Sequence, residues 1–532
     1  MSIRSWSRSR FRATSRPLSR QSLDPSGPAS DPVPTWTRGP RRGDSLTLSI
    51  ERIDGSGDGE TRLVGRPGPG QAPRRYAVSV PCAVVGDTVE AIVGEVRRNR
   101  IGTRLARVLT PSPHRVQPPC PHFDSPGDLA PGCGGCSLQA LAYPQQLEAK
   151  AAHVRRLFSA HGINPDLVRA PIGMAEPFRY RNKMEFSFGR DASEAYALGL
   201  HPGGYRHEVM RLEQCLLMSE RGFALVQAIR QFAESRGLEP FLAKTGEGFM
   251  RGLIVREGLR TGERMIDLVT SGADATRMDG EDVAAATVIE AFAQAVQAAA
   301  RELDAPVTSL FWTQHVAVRG TPTRMVSHHL DGLEVLHEEL SVAGGPSLRF
   351  AIHPRAFFQP NTLQAEVLYT EVARAAGLGP ETRAHTRLLD LYAGTGTIGL
   401  ALAPLCREVV GIELVADAVR NAQENAAANG ISNARFLCGD VGAVLAAEGL
   451  DQPGAADLVV VDPPRAGLMS SALECLASLG APRLVYVSCN PESLARDHKA
   501  LRAAGFQLRS VQPVDMFPQT GHIENVALFE RG

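Results

Sequence analysis

The 532-residue chain predicts an α/β protein. Its C-terminal part is a doubly wound, Rossmann-like parallel sheet, preceded by an OB-like β-barrel and an α+β middle domain. Three observations carry this. From about residue 350, apolar strands alternate with helices, the pattern of a parallel sheet with crossover helices. Residues 45–110 hold short segments of alternating polarity parted by Gly-rich turns, the pattern of a small barrel. A glycine run, Gly394-x-Gly396-x-x-Gly399, follows one of the C-terminal strands.

Composition sets the class. Hydrophobic residues make up 43% and charged residues 21%, as in globular proteins. Lys+Arg and Asp+Glu both number 57, so no global charge excess points to nucleic acid, though a local basic face suffices for binding. No apolar run is long enough for a membrane span. The nine cysteines, with no secretory signal pattern, suit metal-binding or catalytic thiols in a reducing, cytoplasmic setting.

Residues 1–44 are expected to be a disordered tail, rich in Arg and Ser and then in Pro. They fit a basic arm for RNA, a mitochondrial transit peptide or a solvated tail equally. Residues 45–110 follow as the barrel, with "SLTLSIERIDGSGDGETRLV" and "RRYAVSVPCAVVGDTVEAIVGEV" as strands. OB-like barrels often bind nucleic acid, and Arg97, Arg98 and Arg100 offer a phosphate-contacting edge or a solvated loop. Residues 111–345 form the middle domain. It opens with an irregular stretch carrying Cys120, Cys133 and Cys136, followed by an amphipathic helix in "LAYPQQLEAKAAHVRRLFSAHG". "RYRNKMEFSFG" reads as a strand with Arg179, Arg181 and Lys183 on one face, and "EDVAAATVIEAFAQAVQAAARELD" reads as a helix.

Residues 346–532 are the third domain. Helix "QAEVLYTEVARAAGL" leads into strand "RLLDLY". Strands "EVVGIE", "ARFLC", "ADLVVVDPP" and "RLVYVSC" follow with helices between, and a terminal antiparallel pair closes the chain. The glycine run matches a dinucleotide fingerprint, and Glu413 stands near the expected ribose-binding position. Its surroundings argue against a dehydrogenase. Asp390, Glu413, Asp440 and Asp462 all fall at the carboxyl ends of strands, where such sheets bind ligands. Four carboxylates at one edge repel a pyrophosphate but tolerate a sulfonium such as S-adenosylmethionine. Any single one of these acids also fits a helix N-cap.

Cys489 ends a strand on the same rim, just before Pro491. A buried thiol often only fills space. Facing a methyl donor, however, it suits covalent catalysis at carbon 5 of a pyrimidine. A thiolate adding at carbon 6 makes carbon 5 nucleophilic, and a separate base must later remove the carbon 5 proton. Glu524, among Ile523, Val526 and Leu528, is the candidate base, because shelter raises a carboxyl pKa.

The motifs "DLYAGTG", "VVVDPPRAGL", "VSCNP", "GHIENVALFER" and "FAIHPRAFFQPNTLQAEVLY" resemble the RNA uracil-5-methyltransferases, from about Ser45 to the C-terminus. The resemblance implies a Rossmann-like methyltransferase domain with Cys489 as nucleophile and Glu524 as base. It implies cofactor contacts from Gln359, Tyr392, Thr397, Glu413, Asp440 and Asp462. Phe357, Gln359 and Asp462 would face a target base that has left the RNA stack, although Phe357 and Phe358 also fit ordinary packing. "CPHFDSPGDLAPGCGGCSLQAL" with Cys215 resembles the iron–sulfur segment of the ribosomal-RNA branch. Cys120, Cys133, Cys136 and Cys215 would then ligate a 4Fe-4S cluster, with zinc as the alternative. The gap between Cys120 and Cys133 exceeds the family's usual spacing. Cys82, Cys406, Cys438 and Cys475 have only a packing role. The barrel resembles a TRAM domain, which the transfer-RNA branch typically lacks.

The expected protein is therefore a cytoplasmic, monomeric enzyme without membrane contact. It methylates carbon 5 of a uridine in 23S rRNA. A transfer-RNA uracil-5-methyltransferase and a catalytically idle RNA-binding protein are the alternatives.

Overall fold

The computed structural model describes residues 35–36, 39–65, 72–124, 126–127, 131–205, 207–242, 244–317 and 320–532. Most of the Arg/Ser-rich tail lies outside them. Order begins earlier than residue 45, however. Thr35–Trp36 pairs in parallel with Val64–Gly65, because an edge strand offers unpaired backbone groups. The tail is thus not unstructured throughout residues 1–44. Among the described residues no helix is long and apolar enough to cross a membrane.

Two compact units divide the chain. The smaller holds the described residues up to Gln117, with Ala140–Ala142. Its strand Ser45–Ser49 pairs with Thr88–Arg97, then bends so that Arg52–Ile53 pairs with Gly59–Gly65. Gly59–Gly65 pairs with Arg74–Val80, which runs parallel to Arg100–Thr110, itself paired back to Thr88–Arg97. The circuit closes into the expected OB-like barrel around Leu46, Leu48, Val78, Val89 and Ile101. Arg97, Arg98 and Arg100 sit exposed where Thr88–Arg97 turns into Arg100–Thr110, and Arg97 pairs with Glu95.

The larger unit contains two seven-stranded sheets. In the first, strands Lys183–Arg190, Met250–Glu257, Arg264–Ser271 and Ser309–Val316 are central. Helices Glu220–Ser235 and Ala285–Glu302 cover one face through Phe223, Val226, Phe292 and Val296. The second helix starts later than its composition predicts. Glu281–Ala284 instead pairs with Ala275–Met278, the strand pairing overriding weak local propensity. The hairpin Leu336–Ser341/Ser347–Ile352 belongs to the core of the second sheet, so the boundary expected at 345/346 falls inside its turn.

Seven strands build that second sheet: β1 (Arg387–Leu391), β2 (Glu408–Glu413), β3 (Ala434–Cys438), β4 (Leu458–Val461), β5 (Arg483–Ser488), β6 (Phe506–Val514) and β7 (Glu524–Arg531). Their spatial order is β3-β2-β1-β4-β5-β7-β6. β1 to β5 are mutually parallel, and β7 enters antiparallel between β5 and β6. β4 and most of β5 are buried on both faces, which explains their unbroken Val/Leu/Tyr runs. The order reverses between β1 and β4, which opens a crevice at their carboxyl ends.

Candidate functional site

The crevice is built from the ends of β1, β2, β4, β5 and the start of β7. After β1 the chain turns sharply. Tyr392, Gly394 and Gly396 take left-handed φ values of 65°, 57° and 76°. A Cβ at Gly396 would lie 2.8 Å from the Phe436 ring, so glycine is required there. Asp390, fully buried, accepts a hydrogen bond from the Gly399 amide at 2.9 Å and so closes the loop. Its other oxygen has no partner. Glu413 accepts from the Gly394 amide at 3.0 Å and from the Val415 amide at 2.9 Å. The Thr397 hydroxyl meets the buried Tyr369 hydroxyl at 3.1 Å. Asp440 is exposed, and its Oδ1 caps the helix Val441–Ala447 through the Gly442 and Ala443 amides. Leu414 and Val415, beside Glu413, are exposed apolar side chains suited to a flat heterocycle.

The thiol's place follows from the turn after β5. Pro491 opens the helix Pro491–Ala503 and Asn490 caps it. Cys489 is therefore held between a strand end and a helix N-terminus, where an anion is favoured. Asn490 Nδ2 also donates to the Arg465 carbonyl at 2.9 Å, locking this turn to the Asp462-Pro463-Pro464-Arg465 turn. The last β5–β7 pair is Ser488 with Asn525. One step further along that register sets Cys489 opposite Glu524.

The ionisable groups here are strained by one another. Burial pushes the Glu524 carboxyl up to about 8, with Asp462 adding to the effect and Arg465 opposing it. Burial, then Glu524 and Asp462, push the Cys489 thiol up to about 11, again against Arg465. Burial raises the Asp462 and Asp390 carboxyls to about 7, Asp390 also feeling Asp462 and Glu413 and resisted by its bond from Gly399. Such a group of acids invites a cation. Arg465 had no assigned role in the sequence reading, and only the fold sets its charge against Cys489 and Glu524.

The segment before Thr362 supplies an apolar platform. Phe358 is buried in the core, whereas Phe357 is 66% exposed. The Phe357 carbonyl accepts from Thr395 Oγ1 at 3.3 Å, and Arg256 Nη2 donates to the Ala356 carbonyl at 2.5 Å. Gln359 is buried, and its carbonyl accepts from Asn182 Nδ2 at 2.9 Å.

Away from the crevice, Cys120, Cys133, Cys136 and Cys215 line one small cavity with His122, Gln139 and Leu217. Among the described residues, however, no group of three or more His, Cys, Asp or Glu side chains is disposed to hold a metal ion. Burial raises the Cys133 thiol to about 11 and the Cys136 thiol to about 12, and neighbouring sulfurs add to both.

The expected row of Arg179, Arg181 and Lys183 on one strand face does not form. The strand begins only at Lys183, because Arg179 takes a left-handed φ of 55°. Arg179 Nη1 donates to the Cys215 and Met218 carbonyls at 3.1 and 3.0 Å, and Lys183 pairs with Glu185 at 2.5 Å.

The sheet order, the glycine loop held by Asp390 and the acid-lined rim define an S-adenosylmethionine-dependent methyltransferase. Residues 289–532 match the family model described as tRNA (Uracil-5-)-methyltransferase. An uncharacterized RNA methyltransferase of Protochlamydia amoebophila is 36% identical, over 85% of this chain and 99% of its own length. Another, of Chlorobaculum tepidum, is 37% identical over 84% of this chain and 89% of its own. The chain belongs to the RNA uracil-5-methyltransferase family. Among solved structures, the Pyrococcus abyssi tRNA (uracil-54, C5)-methyltransferase in complex with S-adenosyl-L-homocysteine matches with a TM-score of 0.65. It is 24% identical, covering 91% of this chain and all of that one, a likeness of fold.

Proposed function

We propose that the protein methylates carbon 5 of a uridine in 23S rRNA through a covalent adduct on Cys489. One observation carries the mechanism: Cys489 follows the last β5–β7 pair, Ser488 with Asn525, and its thiol feels the charges of Glu524 and Asp462. S-adenosylmethionine supplies an electrophilic methyl group, and the orphaned oxygen of Asp390 within an acidic rim fits its positive charge. The thiolate of Cys489 forms a bond to carbon 6, and the electrons of the 5,6 double bond move onto carbon 5 and its carbonyl. Carbon 5 takes the methyl, whose former bonding pair stays on the donor sulfur. Glu524 then removes the carbon 5 proton, the double bond re-forms, and the Cys489 thiolate leaves. Phe357 stacks on the extruded base, with Gln359 and Asp462 at its edge. Tyr392, Thr397, Glu413 and Asp440 surround the donor.

The four cysteines are assigned to a 4Fe-4S cluster, with zinc as the alternative, because four thiols line one cavity and both groups take four thiolate sulfurs. Cationic iron would offset the burial that holds the Cys133, Cys136 and Cys215 thiols above their ordinary range. Iron and sulfide analysis of anaerobically purified protein tests this; one zinc per chain without iron overturns it.

The barrel and the cysteine segment together support ribosomal RNA as the target. Transfer RNA is the second reading, favoured by the description of the matching family model. Mapping 5-methyluridine across all RNAs of a strain lacking the protein decides: loss from 23S rRNA supports the first reading, and loss only from transfer RNA the second.

A further inference from the structure

The cysteine-lined cavity is wired to the acceptor side of the crevice in two places. On one side, the backbone amides of Ser137 and Leu138, just after Cys136, both donate to the Gln519 carbonyl, at 2.9 and 3.0 Å. Gln146 completes this clamp. Its Nε2 donates to Gln519 Oε1 and to the Leu138 carbonyl, both at 3.0 Å, and its Oε1 accepts from the Gln519 amide at 3.2 Å. Tyr180 Oη donates to the Pro518 carbonyl at 2.9 Å. Gln519 is held at a left-handed φ of 69°, which a side chain adopts only under such constraint. Five residues further on, the same loop delivers Glu524.

On the other side, Arg179 binds the Cys215 and Met218 carbonyls, and the Arg179 and Arg181 amides donate to Leu216 and Leu217, each at 2.8 Å. The next residue, Asn182, holds the platform. Its amide donates to the Pro360 carbonyl at 3.0 Å, and its Nδ2 donates to the Gln359 carbonyl at 2.9 Å and lies 3.0 Å from Thr362 Oγ1. Phe357 lies two residues before Gln359. The donor loop is held chiefly by other bonds, from Gly394 to Glu413 and from Gly399 to Asp390, and meets the platform through Thr395 Oγ1 and the Phe357 carbonyl.

We propose that the cysteine-lined cavity is a brace for the acceptor pocket, with Gln146, Gln519 and Asn182 as positioning residues that set Glu524 and the Phe357 platform. The proposal rests on the roles given above to Glu524 and Phe357. The brace acts through hydrogen bonds buried in the protein, where a lost partner is costly and local opening follows. What fills the cavity therefore governs capture of the uridine.

The test uses the full-length protein as purified anaerobically. Gln146→Ala removes the clamp on Gln519 without touching a thiol, Cys489 or Glu524. Gln146→Met keeps the volume and guards against a merely collapsed core. In both variants, amide hydrogen exchange over residues 515–523 should quicken by about tenfold or more. Iron content should stay at the wild-type level, and donor affinity should stay within about twofold of it. On RNA, kcat should fall more than KM changes. The acid limb of the kcat profile should move to lower pH, because a loosened loop hydrates Glu524 and relaxes its raised pKa. Cys136→Ala should speed exchange in the same loop and, through the second set of bonds, over residues 357–361. Unchanged exchange in these segments in all three variants overturns the brace. A wild-type protein that methylates no uridine overturns the proposed function instead, and leaves the exchange result readable.

Discussion

At the residue scale, the crevice confines several like charges, and the enzyme's pH behaviour follows. Cys489→Ala should abolish methylation yet bind S-adenosylmethionine as the wild type does, which calorimetry and a methyl-transfer assay can check together. Glu524→Gln should accumulate a protein–RNA adduct that survives denaturing gels, because the proton at carbon 5 has no acceptor. The same variant reports on stability. The Glu524 carboxyl is raised from 4.5 to about 8, so its contribution is full below the unfolded value and is lost as pH rises through the folded one. The melting temperature of Glu524→Gln relative to wild type should therefore climb between about pH 5 and 8 and then level off. Arg465→Met should raise the Cys489 thiol pKa further and lower kcat, moving the ascending limb of the pH profile to higher pH. Cys489 and Glu524 were legible in the sequence because each lies in a motif with a chemical reason. Arg465 was not, since its charge acts across three loops that only the fold assembles.

At the element scale, β-strand register does what sequence spacing cannot. Cys489 and Glu524 lie far apart in the chain, and the antiparallel insertion of β7 beside β5 brings their neighbours Ser488 and Asn525 into one pair. The alternation of strands and helices after residue 350 was legible because buried parallel strands announce themselves as unbroken apolar runs. The stretch around Arg179 was misread for the opposite reason. Alternating residues there imitate a strand, while the backbone turns left-handed to serve the Cys215 loop. The glycine loop offers a sharper test. Gly396→Ala forces a side chain into a left-handed position and against Phe436, at a cost of about 1–3 kcal/mol. Donor affinity should fall by about tenfold or more, with the far-ultraviolet spectrum unchanged.

At the scale of the whole molecule, the cysteines mark the limit of sequence spacing. The long gap between Cys120 and Cys133 cast doubt on a shared site, yet both line one cavity with Cys136 and Cys215. Spacing along the chain does not report separation in the fold. One small contact also bears on the order of events. Thr395, in the turn that receives the donor, holds the Phe357 backbone with its hydroxyl. Filling the donor turn should then stiffen the aromatic shelf before RNA arrives, giving a sequential kinetic scheme with donor first. Demethylated donor should then inhibit competitively against S-adenosylmethionine but not against RNA. It should also tighten RNA binding in a Thr395-dependent way.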